Sequence, residues 1–327
     1  VGELSHHITR RIYSMARNPH YISQLGHVEL YSPKVDDTVK FFKDVIGLEE
    51  SARDGKSVYF RAWGEFHHHS LKITDHTTKG LGHIGWRADS AEALEDAVKH
   101  IESSGRGKGW IEGDIGHGKA FQFESPDGHL EEIFWDVDLY TAPEELKSVW
   151  HNRPQKNHGR GVAPRRLDHV TLHSTDVPKC REFYQGLGFY HREGILLDEP
   201  ISKEIGAWFS VTNLSHDIAL LGDQSGKRGL INHVCYAVES REEVLMAADH
   251  IIESGYTLVM GAPTRHKIAE GFFFYVDEPG GNRFELYSGA HLIFAPDFGP
   301  YMWRLSENPN DAWGNEMPWT KDGKIIK

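Results

Sequence analysis

Apolar and polar positions along the chain alternate with two periods, and the switch between them occurs in the same order twice. From Gly26 the run G-H-V-E-L-Y alternates like a strand, and residues 36 to 46 then follow the wider spacing of an amphipathic helix that ends at Gly47. Strands are predicted near 57 to 62 and 69 to 74, followed by G-H-I-G-W-R-A at 82 to 88. A helix over 90 to 104 closes at Gly105, and F-Q-F-E-S-P-D-G-H-L-E-E-I-F from Phe121 forms a hairpin. After a polar stretch rich in Asn, Lys, Arg and Pro at 151 to 165, L-D-H-V-T-L-H from Leu167 begins the series again. It continues with a helix over 177 to 186, strands near 206 to 212 and 217 to 221, N-H-V-C-Y-A-V at 232 to 238, a helix over 240 to 254 and a last hairpin.

That last hairpin carries the densest chemistry: T-R-H-K-I-A-E-G-F-F-F-Y-V-D-E-P-G-G-N-R-F-E, from Thr264 to Glu285. Its Glu-Pro-Gly-Gly is turn chemistry between two alternating runs. The landmark pairs His27 and His169, His83 and His233, and Glu132 and Glu285 differ in residue number by 142, 150 and 153. A small drift in one direction is what a duplication with loop insertions leaves behind. The chain therefore divides into a lead-in (1 to 25), a first repeat domain (26 to 150), a linker (151 to 165), a second repeat domain (166 to 290) and a C-terminal segment (291 to 327). Roughly sixteen short strands with one crossover helix per run of strands imply an α+β fold, with helices outside curved sheets whose concave faces can hold a ligand.

Composition narrows the function. The 327 residues carry a net charge of −12 and no basic block, which argues against nucleic acid and anionic membranes as partners. No apolar run is long enough for a membrane span, and the charged N-terminus has no signal-peptide core, so a cytoplasmic protein is expected. Cys180 and Cys235 have no metal-type spacing and read as buried free thiols. The 22 histidines are the unusual component and raise the case for a metal or proton-transfer site.

His169, His233 and Glu285 fall on three different strands of the second half, and each recurs at the matching place in the first. Two neutral imidazoles and a carboxylate are what one face of an octahedral ion requires, leaving the other face open. Taken singly, each is as readily a core histidine or a surface glutamate. The recurrence decides against that.

With these residues in hand, the chain resembles the type I extradiol ring-cleavage dioxygenases. The resemblance rests on His266, Phe274-Tyr275, Glu278-Pro279, Gly281 and Glu285 at the family's intervals, with D-H-V at 168, S-H-D-I-A-L at 215 and N-H-V at 232, and it covers residues 26 to about 300. It implies the vicinal-oxygen-chelate fold, four βαβββ modules forming two barrel-like domains, and a homo-oligomer, a tetramer. It implies Fe(II), or Mn(II) in the same donor set, held by His169, His233 and Glu285. His216 would be the acid/base residue, and Tyr275 and His266 would hydrogen-bond the diol of a catechol cleaved with dioxygen. Trp208 and Thr171 would line the pocket, whereas Arg265, Arg283, Cys235 and His173 read as structural.

The first half keeps His27, His68, His83 and Glu132 at the places matched to His169, His216, His233 and Glu285, but has Gln122 and Gly113 where Tyr275 and His266 stand. It is read as an inactive relic in which His27, His83 and Glu132 either pack or hold a second ion. Beyond Gly289, Tyr301, Met302 and Trp303 beside prolines suggest a lid or a tail packed on its own domain. Relatives that take homoprotocatechuate place an Arg before the counterpart of His266 and another in the lid. Here only Arg304 remains for that role, which implies a neutral ring: catechol, an alkylcatechol or 2,3-dihydroxybiphenyl. The rivals are a lyase or transferase of the glyoxalase or fosfomycin-resistance kind, and a non-catalytic metal- or ligand-binding module.

Overall fold

The computed structural model describes residues 19 to 314. In the first half, β1 (Ile22–Ser32), α1 (Val35–Lys40), β2 (Glu49–Asp54), β3 (Ser57–Arg61) and β4 (Leu71–Asp75) form one βαβββ unit. β5 (Gly80–Ala88), α2 (Ala91–Ser103), β6 (Gly107–Ile111), β7 (Ala120–Glu124) and β8 (Leu130–Phe134) form the next. The second half repeats this with β9 (Arg166–Ser174), α3 (Val177–Gly186), β10 (Tyr190–Leu196), β11 (Glu204–Ser210) and β12 (Ile218–Gly222). β13 (Ile231–Ala237), α4 (Arg241–Glu253), β14 (Leu258–Arg265), β15 (Phe272–Asp277) and β16 (Arg283–Ser288) complete it. This is the vicinal-oxygen-chelate arrangement, α+β, with four such units in two curved sheets.

Three details depart from expectation. β1 starts at Ile22, inside the stretch read as lead-in, and residues 1 to 18 lie outside the described part of the chain. The first helix changes winding after Lys40 into a π-helical turn, Phe41–Ile46, which buries Phe41, Phe42 and Ile46 together. A further strand, β17 (Tyr301–Arg304), lies parallel to β10 and makes the second sheet nine-stranded, against eight in the first. Four residues bounded by Pro300 are too short to show an alternation.

Helices α2 and α4 bury equivalent stripes, Leu94, Ala97, Val98 and Ile101 against Val244, Ala247, Ala248 and Ile251, the i, i+3, i+4, i+7 spacing of a single apolar face. Ser90 and Ser240 cap their N-termini by accepting from Ala93 N and Glu243 N. A single apolar cluster runs through both halves, from Phe42 and Trp86 to Tyr184, Phe189 and Phe284. Buried polar ties cross it: Glu131 accepts from Trp86 Nε1 at 2.6 Å and from Tyr184 OH at 2.7 Å. Glu278, 2% exposed, accepts from Thr38 Oγ1 of the other half at 2.5 Å and from Gly280 N and Asn282 N at 2.6 and 2.8 Å. It thus shapes the β15–β16 turn and fixes it to the first half.

The centre of each sheet positions the chemistry. β9 and β13 pair antiparallel, with Cys235 opposite His169, while β13 and β16 pair parallel, with Cys235 opposite Glu285. Glu285 in turn faces Tyr275 across the β15–β16 ladder. Directly opposed residues share a face, and His233, two residues from Cys235, shares it as well. Gly271, just before β15, is needed for this packing, because a Cβ there would lie 1.8 Å from the Tyr287 ring. Gly271→Ala is expected to destabilise the fold by about 1–3 kcal/mol through overpacking, measured by chemical denaturation. An unchanged midpoint would show that Tyr287 yields freely.

Candidate metal centre

Glu285 Oε2 lies 3.1 Å from His169 Nε2 and 3.1 Å from His233 Nε2, and the two nitrogens are 3.4 Å apart. All three residues are buried. His169 Nδ1 donates to Asp168 Oδ1 at 2.8 Å and His233 Nδ1 donates to Asn232 Oδ1 at 2.7 Å. With the Nδ1 protons so placed, both Nε2 atoms turn lone pairs toward a carboxylate oxygen, and Glu285 Oε2 accepts no hydrogen bond. Three electron-rich atoms facing one another in a buried site repel unless a cation lies among them. Burial opposes charge on His169, yet the neighbouring carboxylates of Asp168 and Glu285 outweigh this and push it up to about 9. Burial holds His233 down to about 4. The site attracts one positive charge, and a divalent ion satisfies all three donors where a proton on His169 satisfies two. The donors fit Fe(II) or Mn(II).

A competing group, Asp168, His169 and Cys235, is also compact. Asp168 is already paired with Arg166 at 2.7 Å, and burial drives the Cys235 thiol well above its ordinary value, so it stays protonated. That group is the weaker ligand set.

The three donors open into a cavity of about 850 Å³ that His216, His266, Tyr275, Thr171 and Trp208 also line. The His216 ring is 4.0 Å from that of His169, with Nδ1 3.1 Å from Ser215 Oγ. Burial, then the charge of His169, hold it well below the ordinary imidazole value, so it is a neutral base at neutral pH. His266 stacks on Phe273 with ring centroids 3.6 Å apart, and its Nδ1 donates to Asn310 O at 2.6 Å. Its Nε2 is left to accept, 3.5 Å from Tyr275 OH and 3.9 Å from Glu285 Oε1.

The structure adds residues to the site. Arg283 and His173, which read as structural in the sequence, also line the cavity. The alternation held the signal: Arg283 is two residues before Glu285, and His173 two after Thr171, each on the same face as its neighbour. Arg304, the cation left for the pocket, is instead tied to Glu199, Ser202 and Leu197 O. Arg265 is paired with Glu270 at 2.8 Å. Of the expected lid, Tyr301 and Met302 are exposed and Trp303 packs beside Ile195 and Trp208, while Leu305 and Asn310 line the cavity.

One correspondence also shifts. Val170 pairs with Ile218 and Val28 with Leu71, so the counterpart of His216, two residues before Ile218, is His69 and not His68. The His69 ring lies 4.9 Å from that of His27. Orienting partners were unforeseen as well: Asp168 and Asn232 each precede the histidine they hold, in D-H-V and N-H-V.

Residues 24–133 and 166–286 match the Glyoxalase/Bleomycin resistance protein/Dioxygenase superfamily. A metapyrocatechase from Geobacillus stearothermophilus is 43% identical over 302 residues, 91% of each chain. A manganese-dependent 2,3-dihydroxybiphenyl 1,2-dioxygenase from Geobacillus genomosp. 3 is 38% identical over 88% of this chain and 91% of its own. Among solved structures, the 2,3-dioxygenase LapB from Pseudomonas sp. KL28 superposes with a TM-score of 0.80 at 28% identity, covering 88% of this chain and 99% of that one. The chain belongs to the extradiol ring-cleaving dioxygenases of this superfamily.

Removing an orienting partner tests the site without touching a ligand. Asn232→Ala is expected to lower affinity for a divalent ion about 10–100-fold with the fold retained, measured by competition with a chromophoric chelator. Unchanged affinity would show that His233 needs no such support.

Proposed function

We propose that the second half opens the ring of a catechol beside its diol, adding both atoms of dioxygen to give a hydroxymuconic semialdehyde. The observation that carries this is the set of three buried donor atoms opening into a cavity with His216, His266 and Tyr275 on its wall. Fe(II), or Mn(II) in the same donors, is the proposed ion on His169, His233 and Glu285. When bound, it supplies the electronic route between a singlet catechol and triplet dioxygen, whose direct reaction is spin-forbidden.

The chain's own residues bind, orient and move protons. His266 Nε2 accepts, so with Tyr275 OH it receives hydrogen bonds from the diol and takes up its proton. His216, neutral and next to His169, carries a proton to and from the oxygen being added. The Arg283 guanidinium lies 5.6 Å from the Tyr275 ring centroid and favours negative charge on the phenol side of the cavity. Ile195, Ile205, Trp208, Leu221, Ile268 and Leu305 form an apolar wall that accepts an uncharged ring and excludes water.

A neutral catechol remains the proposed substrate because Arg283 stands over Tyr275 and pairs loosely with Asp277 at 3.6 Å. The same reading includes a cytoplasmic setting and a homo-oligomer, a tetramer. Exposed Leu245, Met246 and Ile252 on α4 support the oligomer, and light scattering of the purified chain tests it. No helix among the described residues is long and apolar enough to cross a membrane.

His233→Ala is expected to lose bound metal and oxygen uptake together; near-normal values of both would refute the ligand assignment. His216→Phe is expected to keep metal and catechol binding but to turn over roughly 10²-fold or more slowly. Equal loss of metal and rate would move His216 among the ligands. Specificity constants for 3-methylcatechol and 2,3-dihydroxybiphenyl are expected to exceed that for homoprotocatechuate. A preference for homoprotocatechuate that disappears in Arg283→Gln would reverse the substrate assignment.

A further inference from the structure

The first half contains a second buried cluster that the cleavage reaction does not use. His27 Nε2 lies 2.8 Å from His83 Nε2, and each is 3.5 Å from Glu132 Oε1. His117 Nε2 is 3.1 Å from the same oxygen, beside the compact group that His27, His83 and Glu132 form. His27, His83, His117 and Glu132 are all 6% exposed or less. Despite these short separations, Glu132 Oε1 and His117 Nε2 have no hydrogen-bond partner. Ligands about 2.0–2.2 Å from one ion stand about 2.8–3.6 Å apart for angles between a right angle and the tetrahedral value. The His27, His83 and Glu132 separations fall in that range.

Decay of a duplicated site would leave the orienting partners unreplaced. Here one of the two has been rebuilt from a different residue. The place of Asn232 is taken by Gly82, which orients nothing, but Glu29, at the place of Thr171, accepts from His83 Nδ1 at 2.7 Å. Gly82 makes room for it, since a Cβ there would lie 2.4 Å from Glu29 Oε2. Gly85, at the place of Cys235, likewise admits the His27 ring, which a Cβ would meet at 2.2 Å. Glu29 is itself held by Thr74 Oγ1 at 2.5 Å and by Lys72 at 3.5 Å.

His117 lies in the β6–β7 connection as His266 lies in the β14–β15 connection, and its Nε2 stands closer to its glutamate, 3.1 Å against 3.9 Å. Its loop turns inward through Gly113 and Gly116, with φ of +104° and +91°, and Tyr59 OH and Lys72 anchor it through Asp114. His117 Nδ1 donates to Gly118 O at 2.9 Å, which aims its Nε2 lone pair at the cluster. The Phe134 ring stacks on both His117 and His27 and fixes their planes.

We propose that His27, His83 and Glu132 bind a second divalent transition-metal ion, Zn(II) by preference, that stabilises the first half. Two imidazoles and one carboxylate suit a borderline divalent ion. His117 stands beside the carboxylate, and Gln122 and Gly113 replace the groups that would hold a diol, so the site serves structure rather than ring cleavage. This site is independent of the reading of the second half.

The test counts ions on tag-free protein reconstituted with Zn(II), desalted and analysed by plasma mass spectrometry, with folding checked by circular dichroism. Close to two ions per chain are expected in the wild type, one in Glu285→Gln and none in the Glu132→Gln/Glu285→Gln double variant. Co(II) in Glu285→Gln should give the intense visible bands of four-coordinate cobalt. If Glu285→Gln does not fold, the wild type is compared with His83→Ala, where the count should fall from two toward one. A wild type with one ion, absent from folded Glu285→Gln, would overturn the second site and leave the second-half assignment intact. One ion retained in Glu285→Gln but lost in Glu132→Gln would instead undermine the second-half ligands.

Discussion

Two imidazole nitrogens and a carboxylate oxygen packed within 3.4 Å of one another, away from water, repel unless a cation lies among them. The second sheet is built to hold that arrangement. Antiparallel pairing of β9 with β13 and parallel pairing of β13 with β16 bring His169, His233 and Glu285 to one face, each from a separate strand. Because side chains alternate along a strand, a one-residue slip in any of these ladders would turn a ligand away. The apolar cluster shared by the halves, with Glu278 and Glu131 pinned across it, holds the register. Binding is therefore set by the fold, and reactivity by what surrounds the donors.

Those surroundings differ between the halves more than the donors do. In the second, Asp168 and Asn232 orient the ligands, and the remaining side opens to a cavity with His216, His266 and Tyr275. In the first, Glu29 does the orienting and His117 closes in on the carboxylate. Equivalent strands thus present two matching sets of three donors, one facing a cavity and the other beside His117. The difference comes from a few positions, among them Gly82, Gly85 and the loop carrying His117.

Much of this was legible in the chain because alternation and repeat reinforce each other. His169, His233 and Glu285 sit in strands whose patterns recur, so both their faces and their counterparts could be read. Where one signal was missing, the reading failed. His67, His68 and His69 are chemically identical neighbours, and only strand register identifies His69 as the counterpart of His216. His117 rides on a glycine-turned loop with no period to betray its direction. Arg283 was different: it stands two residues from Glu285, and strict use of the alternation would have put it in the cavity. Short β17 had neither a period nor a repeat partner.

The most direct test is an anomalous-scattering map from crystals of the protein loaded anaerobically with Fe(II) or Mn(II) and soaked with catechol. The account predicts a peak bonded to His169 Nε2, His233 Nε2 and Glu285, with both catechol oxygens on its open side and next to Tyr275 and His266. Absence of a peak there, or a peak held by Asp168 and Cys235 instead, would contradict it.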